Sequence, residues 1–115
     1  PMSTKPLFVL LLVFVSACAS NKTNYYWGDY EATLYEKYQM ADGMAPQEEL
    51  ARLLLVVEKA QASGKKIGPG VNLHIAMLYA QAGSMDAARQ FVEAEEALYP
   101  MSRQFTKSIF KKVKE

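Results

Sequence analysis

Two helical patterns joined by a turn, in residues 71–100, restrict the possible folds of this chain more than any other feature. Each pattern places apolar residues at helical spacing, and Gly83 lies between them, where a turn can form. Ala76 in the first pattern and Ala88 in the second are small enough to let two antiparallel helices approach closely. Pro100 ends the second pattern because proline is not tolerated in a helix interior. The sequence therefore predicts a helical hairpin.

This hairpin resembles one tetratricopeptide repeat, a helix–turn–helix unit of about 34 residues with the patterns W-x2-L-G-x2-Y and A-x3-F. Ile75, Ala76 and Tyr79 occupy the L, G and Y positions of that repeat. Asn72 replaces the tryptophan and Val92 replaces the phenylalanine, so a generic helical hairpin remains the alternative. No second copy lies upstream, and a single repeat cannot bury its own apolar face. Other helices of the chain must therefore cover it.

One covering helix is predicted to begin near Trp27, with Asp29 as its N-terminal cap or a first-turn carboxylate and Gly28 as a break before it. Tyr30, Leu34 and Tyr38 then recur every four residues, which is the spacing of one helix face. We expect this face to lie in the core and to pack against the next helix.

Two further helices complete the predicted array. The first runs from Pro46 to Gly64, with the proline in its first turn and the glycine at its C-terminal end, and a loop follows at 64–70. Its apolar stripe and the residues that widen it are Leu50, Leu53, Leu54, Val57, Leu55 and Val56. The last helix lies in 101–115, with an apolar face formed by Met101, Phe105, Ile109 and Val113. The predicted fold class is all-α, a short antiparallel helical array with one tetratricopeptide-like hairpin.

The last helix also has a basic face, formed by Arg103, Lys107, Lys111 and Lys114. Its ordinary interpretation is a solvated face, since cations near a helix C-terminus also suit the helix dipole. The alternative is a secondary binding site for an acidic partner or anionic glycans. The whole chain has a formal net charge of only +1, which argues against a general attraction to nucleic acid.

The first 17 residues have the pattern of a bacterial lipoprotein signal peptide. Lys5 precedes the apolar run Leu7–Val15, which is too short to span a membrane because a span needs about 20 apolar residues. Val15–Cys18, with the sequence VSAC, resembles a lipobox. The resemblance implies a diacylglyceryl group on the Cys18 sulfur, cleavage before Cys18 and acylation of the new amino group. Ala19 is not the aspartate of inner-membrane retention, which implies an outer-membrane protein that faces the periplasm.

Cleavage before Cys18 would divide the chain into three predicted segments: a signal peptide at 1–17, a lipidated cysteine and polar tether at 18–26, and a helical domain at 27–115. Cys18 is the only cysteine, so the chain can form neither an internal disulfide nor a cysteine zinc cluster. We expect no metal and no cofactor apart from the covalent lipid.

An aromatic stretch, NYYWGDYEATLYEKY, lies where the tether meets the first helix. It contains five of the seven tyrosines and the only tryptophan. Tyr25, Tyr26 and Trp27 precede the helix and are not expected to face one core together. Tyrosine and tryptophan are enriched both in binding hot spots and at membrane interfaces. We therefore expect these three residues, with Tyr30, to dock onto a partner protein or the lipid surface.

The same stretch is similar to a family of small bacterial lipoproteins classified as a domain of unknown function. Its signature, W-G-x-Y-E-x-x-L-Y soon after the lipid cysteine, is formed here by Trp27, Gly28, Tyr30, Glu31, Leu34 and Tyr35. Members are often encoded beside two other lipoproteins, one of them similar to the curli secretion-pore subunit. The resemblance implies partners among envelope lipoproteins, with a curli-pore-like subunit as one candidate.

The sequence contains no catalytic constellation that we recognise, and we predict that the protein is not an enzyme. His74, the only histidine, is expected at the surface or rim, and Glu93, Glu95 and Glu96 on a solvated helix face. The predicted function is that of a lipid-anchored, non-catalytic adaptor or assembly subunit in an outer-membrane lipoprotein complex, for example a secretion apparatus. The alternative is a stand-alone inhibitor or immunity-type lipoprotein that blocks an enzyme. Such an inhibitor should carry a pronounced charged face, which this chain mostly lacks.

Overall fold

The structure, a computed structural model, describes residues 25–111. The predicted signal peptide, Cys18, Val113 and Lys114 lie outside these residues. In chain order the elements are β1 (Tyr25–Tyr26), α1 (Tyr30–Gln39), α2 (Pro46–Ser63), β2 (Lys66–Ile67), α3 (Val71–Gln81), α4 (Met85–Leu98), a 3-10 turn (Pro100–Ser102) and α5 (Arg103–Ile109). The described part is mostly helical, which confirms the all-α fold class. None of its helices has the length and apolar character needed to cross a membrane.

Two apolar clusters form the core. The larger joins α2, β2 and α3 through Leu53, Val56, Ala60, Ile67, Val71, Ile75 and Leu78. The smaller joins α3, α4 and the residue after α5 through Ala76, Ala88, Val92 and Phe110. Because α3 contributes to both clusters, it is the central helix, and the remaining elements are arranged around it.

The predicted helical hairpin is confirmed by α3 and α4, which make the most extensive contact between any two elements. Gly83 lies in the turn with a φ of +84°, a backbone conformation that favours glycine. Ala76 and Ala88 are fully buried in the same cluster, so the small side chains do lie where the two helices meet. The narrower resemblance to a tetratricopeptide repeat stays a prediction.

Both ends of α2 lie where the sequence predicts them. Pro46 is its first residue, and Gly64 follows its last turn with a φ of +68°. Its apolar stripe is narrower than predicted, because Leu55 is exposed while Leu53 and Val56 are buried.

The buried face of α1 differs from the predicted one. Asp29 is the N-terminal cap residue, although its side chain makes no capping hydrogen bond. Thr33 is the buried residue of α1, with Leu34 partly buried beside it, whereas Tyr38 is 79% exposed. Thr33 can be buried because its hydroxyl donates to the Asp29 carbonyl at 2.8 Å. The prediction that Tyr38 belongs to the core is therefore wrong.

A two-stranded parallel sheet interrupts the helical array and was not predicted. Tyr25 pairs with Lys66 and Tyr26 pairs with Ile67, and the Gly68 N–H donates to the Tyr26 carbonyl at 3.0 Å. The boundary predicted at residue 27 is therefore wrong, because the folded part already includes Tyr25 and Tyr26. Strands of two residues are too short to show the alternation by which strands are recognised in a sequence.

The last helix turns a different face inward than its apolar residues predict. Thr106 and Phe110 are buried, whereas Met101 is 93% exposed and Phe105 is also exposed. The Thr106 hydroxyl donates to the buried carboxylate of Glu96 on α4, and this bond fixes the rotation of α5. The predicted apolar face is therefore wrong at Met101 and Phe105.

Candidate functional site

The aromatic residues that precede α1 are part of the folded domain. The ring of Tyr26 packs against the larger core cluster. The Tyr25 ring meets the Tyr99 ring edge-on, with 5.9 Å between their centroids. The centroids of the Trp27 and Tyr30 rings are 5.9 Å apart, and 38% of the Trp27 surface is exposed. Tyr25 and Tyr26 therefore belong to the folded domain through their pairing with β2, and Trp27 stays partly exposed beside them. That these residues dock onto a partner or the lipid surface stays a prediction.

Two glycines make room for these rings. A Cβ atom on Gly68 would lie 2.6 Å from atoms of the Trp27 indole, so only glycine lets the ring lie flat on the backbone there. Gly28 has a φ of +50°, and a Cβ atom on it would lie 2.8 Å from the Tyr26 ring. Through this close approach at Gly68, the loop at 64–70 forms part of the surface on which the Trp27 ring packs.

Replacing Gly68 with alanine is expected to displace the Trp27 ring and destabilise the fold by about 1–3 kcal/mol, the usual cost of overpacking. Trp27 is the only tryptophan, so its emission should shift to longer wavelength as the ring becomes more hydrated. Lys65→Ala, in the same loop but at an exposed position, is the control and should leave the spectrum unchanged. An unchanged Gly68→Ala spectrum would show that the indole does not lie on this backbone.

A buried polar network joins the first three helices. The carboxylate oxygen Oε1 of Glu49 accepts from Lys37 Nζ at 3.0 Å and lies 2.8 Å from His74 Nε2. His74 Nδ1 lies 3.0 Å from the Tyr30 hydroxyl. An ionised carboxylate can only accept, so Nε2 carries the proton towards Glu49, and a neutral His74 accepts from Tyr30 at Nδ1. The network thus runs from α1 through α2 to α3.

The environment keeps the Tyr30 hydroxyl protonated. Burial is the main cause that raises the Tyr30 pKa above its ordinary value, followed by the negative charge of Glu49 and the nearby Tyr38. His74, expected at the surface or rim, is mostly covered: its side chain is 11% exposed, and both ring nitrogens have a hydrogen-bond partner.

A second buried carboxylate holds the N-terminal end of α3. The Gly70 N–H lies 3.1 Å from Glu95 Oε2 and 3.3 Å from Oε1, and the Asn72 N–H is a second donor to this carboxylate. Gly70, the N-cap residue of α3, has no side chain that could cap the helix. Glu95 supplies the missing acceptor from α4, and burial raises its pKa above the ordinary value, opposed by these two hydrogen bonds.

The predicted solvated glutamate face is therefore wrong at two of its three positions. Glu95 and Glu96 are buried, and only Glu93 is exposed. Glu95 stands where a tetratricopeptide repeat usually has a small residue. That irregularity is the one sequence signal that could have indicated its role.

Tyr99, the residue that follows α4, binds the strand pair through its hydroxyl and its ring. Its hydroxyl donates to the Ile67 carbonyl, and the Lys66 ammonium lies 4.6 Å from the centre of its ring. Burial, with smaller contributions from Tyr25 and Glu95, raises the Tyr99 pKa to about 12. The hydroxyl therefore stays protonated and keeps its donor role at physiological pH.

The outer side of α1 carries the most exposed aromatic residues of the described chain. Tyr35 is 67% exposed and Tyr38 is 79% exposed, and both follow the exposed Glu31 at spacings that bring residues together on one helix face. We call Glu31, Tyr35 and Tyr38 the tyrosine face. Tyr30, predicted to bind a partner, is instead half-buried and belongs to the polar network.

Comparison with known protein families identifies this domain. A family model described as "Domain of unknown function (DUF4810)" matches residues 24–109. The chain belongs to this family. The DUF4810 region begins one residue before β1 and ends at the last residue of α5, so it covers both strands and every described helix. No curated protein and no solved structure matches the chain.

Within the DUF4810 region, the residues of the predicted basic face are accessible. Arg103 and Lys107 are exposed, and so is Lys111 just beyond the matched region. Lys114 lies outside the described residues. Phe105 is exposed on α5 and Met101 is exposed in the preceding 3-10 turn, so this surface combines basic and apolar side chains.

Two clefts are also present in the DUF4810 region. The larger, of about 440 Å³, lies between α2 and α4 and is mainly apolar, with Lys65 and Lys66 among its lining residues. The smaller, of about 320 Å³, lies between α1 and α2 and contains Asp29 and Arg52. Neither is lined by His74, Glu49 or Tyr30. Among residues 25–111, no group of histidine, cysteine, aspartate and glutamate side chains is arranged to hold a metal ion.

Proposed function

We propose that this protein is a lipid-anchored, non-catalytic adaptor that docks onto another membrane-bound envelope protein through its tyrosine face. The observation that carries the proposal is the exposure of Tyr35 and Tyr38 on a helix held firmly in place. Their helix is fixed to α2 and α3 by Lys37, Tyr30 and the buried Glu49. Large aromatic side chains on a rigid helix lose little conformational entropy when they bind.

The anchor is the second part of the proposal. The motif VSAC at the end of the apolar run favours lipid modification of Cys18. A chain fixed to the membrane meets its partner by searching a surface, so a modest interface suffices at the resulting high effective concentration. Mass spectrometry of the mature N-terminus tests this part: we expect an acylated Cys18, and an unmodified terminus at another residue would contradict it.

The partner chemistry follows from the tyrosine face. Two tyrosine rings beside Glu31 favour an apolar pocket bordered by a basic or hydrogen-bonding group on the partner. Envelope lipoproteins are the proposed partners, and the family resemblance makes a curli-pore-like subunit one candidate.

Replacing both Tyr35 and Tyr38 with alanine is expected to weaken partner binding by about thirtyfold or more, because truncating a hot spot typically costs at least about 2 kcal/mol. Both rings are mostly exposed, so the fold should remain intact. Affinity purification from crosslinked envelopes, with quantitative mass spectrometry, measures the loss of partner.

The matched control is Leu55→Ala with Met77→Ala, which removes two exposed apolar side chains outside the tyrosine face. This control should retain full recovery of envelope partners. Equal recovery with the tyrosine variant and the control would place the interface elsewhere.

A further inference from the structure

We propose that one end of the domain, formed by Lys65, Lys66, Met101 and Arg103, rests on anionic phospholipid headgroups. We call these four residues the tether end. The inference rests on the proposed lipid anchor and adds to it an orientation of the domain and a second, non-covalent contact with the bilayer.

The position of the anchor limits the distance between this end and the membrane. Six residues separate Cys18 from Tyr25, where the described fold begins. A fully extended chain spans at most about 3.3–3.6 Å per residue, so Tyr25 lies within roughly 25 Å of the lipid-bearing cysteine. The part of the domain around Tyr25 is therefore the part that the tether holds nearest to the bilayer.

Lys66 contacts Tyr25 directly, and the other residues of the tether end lie next to Lys66 in the chain, or within or next to the turn that follows Tyr99. Tyr25 pairs with Lys66 in the strand pair, and its ring packs edge-on against Tyr99. The Tyr99 hydroxyl binds the Ile67 carbonyl, and the Ser102 N–H donates to the Tyr99 carbonyl at 2.9 Å. The β2 strand and the turn between α4 and α5 consequently lie side by side at the point where the tether joins the domain.

The exposed charge at this end is positive. Lys65, Lys66 and Arg103 are exposed, and the sequence contains no aspartate or glutamate in 59–85 or in 97–114. Glu95 is close by, but it is 2% exposed and accepts from the Gly70 N–H. Asp29, the first acidic residue after β1, lines the small cleft that also contains Arg52.

This composition suits an anionic bilayer surface. A basic residue near such a surface strengthens binding by about fivefold, so three of them act together by roughly a hundredfold. Met101, 93% exposed, adds an unbranched apolar side chain that can enter the headgroup layer beside these charges. Bilayer lipid is the chosen occupant, rather than an acidic protein, because the tether places this surface within reach of lipid at all times.

Energy transfer from Trp27 to a dansyl group on lipid headgroups tests the inference. The full-length protein, purified from bacterial cells that process lipoproteins, is reconstituted into vesicles of phosphatidylcholine, either alone or mixed with phosphatidylglycerol. Trp27 directly follows β1 and is the only tryptophan, so its donor signal reports the distance of this end from the headgroups. We expect stronger transfer in the mixed vesicles, decreasing as salt is added.

Lys65→Glu with Arg103→Glu should lower the ratio of docked to undocked protein in mixed vesicles by roughly tenfold or more. This variant keeps Lys66, which packs on the Tyr99 ring, so the fold is preserved. Lys111→Glu is the matched control: it reverses an exposed charge beyond the end of α5, eight residues after Arg103, and should leave the transfer unchanged.

Vesicle flotation separates the two ways in which the idea can fail. A protein that does not float with either vesicle type has no lipid anchor, which overturns the anchored adaptor and this inference together. A protein that floats, but shows equal transfer in both vesicle types and no effect of the double variant, keeps its anchor. That second result overturns only the contact between the tether end and the headgroups.

Discussion

Replacing Glu49 with alanine is expected to lower the free energy of unfolding by about 2–4 kcal/mol. The change leaves Lys37 and the nearly buried His74 without their shared acceptor and opens a void between α1, α2 and α3. Lys37 is 31% exposed and can turn to water, so most of the loss comes from His74 and the void. Chemical denaturation followed by circular dichroism measures the effect.

Glu48→Ala is the matched control for this variant. Glu48 is the adjacent residue, and its carboxylate binds Arg52 at 3.0 Å on the exposed side of α2. An exposed pair of this kind contributes about 0.3–0.5 kcal/mol. Equal effects of the two substitutions would show that the Glu49 network does not join the helices.

Replacing Glu95 with alanine is expected to destabilise the protein by a similar amount, about 2–4 kcal/mol, because two buried backbone donors lose their acceptor. These donors are the N–H groups of the N-cap residue Gly70 and of Asn72 in the first turn of the central helix, α3. Glu93→Ala, on the same helix but exposed, should change the stability by less than about 0.5 kcal/mol. A Glu95→Ala variant as stable as Glu93→Ala would contradict the capping role.

The pH dependence of stability gives an independent test of Glu95. Its folded-state pKa is raised above the ordinary value of 4.5, so the folded protein holds the proton more tightly than the unfolded chain does. Its contribution to stability is therefore fully present below the unfolded pKa and is lost as the pH rises through the folded value. Relative to Glu95→Gln, the wild type should lose stability as the pH is raised above about 4.5; a relative gain would contradict the burial of this carboxylate.

The helices could be predicted because their signals are local. Pro46 and Gly64 mark the two ends of α2, and Ala76, Gly83 and Ala88 mark the hairpin within a few residues of the positions that they control. A helix can be predicted from the spacing of its own apolar residues, and its end from a glycine nearby in the sequence, without information about distant residues. The fold class followed from these features.

The aromatic stretch was misassigned because its environment comes from elsewhere in the chain. Tyr25 and Tyr26 pair with residues 41 positions later, and the site for the Trp27 ring exists only because position 68 is glycine. Within the helical half, Tyr30 packs on the core as predicted, whereas Tyr38 is exposed together with Tyr35.

The buried carboxylates were missed for a related reason. A glutamate on a helix is ordinarily solvated. The sequence neighbours of Glu49 and Glu95 do not indicate that either carboxylate binds a group from another helix. His74, Lys37 and the Gly70 N–H meet these carboxylates only after the helices have packed. Polar burial of this kind follows from tertiary structure and is not visible as hydrophobic periodicity.

Photo-crosslinking at the tyrosine face tests the adaptor hypothesis most directly. A photoreactive phenylalanine analogue is placed at Tyr38 in the full-length protein, and intact envelopes are irradiated. Met85, an exposed residue at the start of α4, is the control position. We predict a discrete adduct with another envelope lipoprotein from position 38, absent from position 85 and lost when Tyr35 is also changed to alanine. No adduct at position 38, with one formed instead from Lys111 on the basic face, would contradict it.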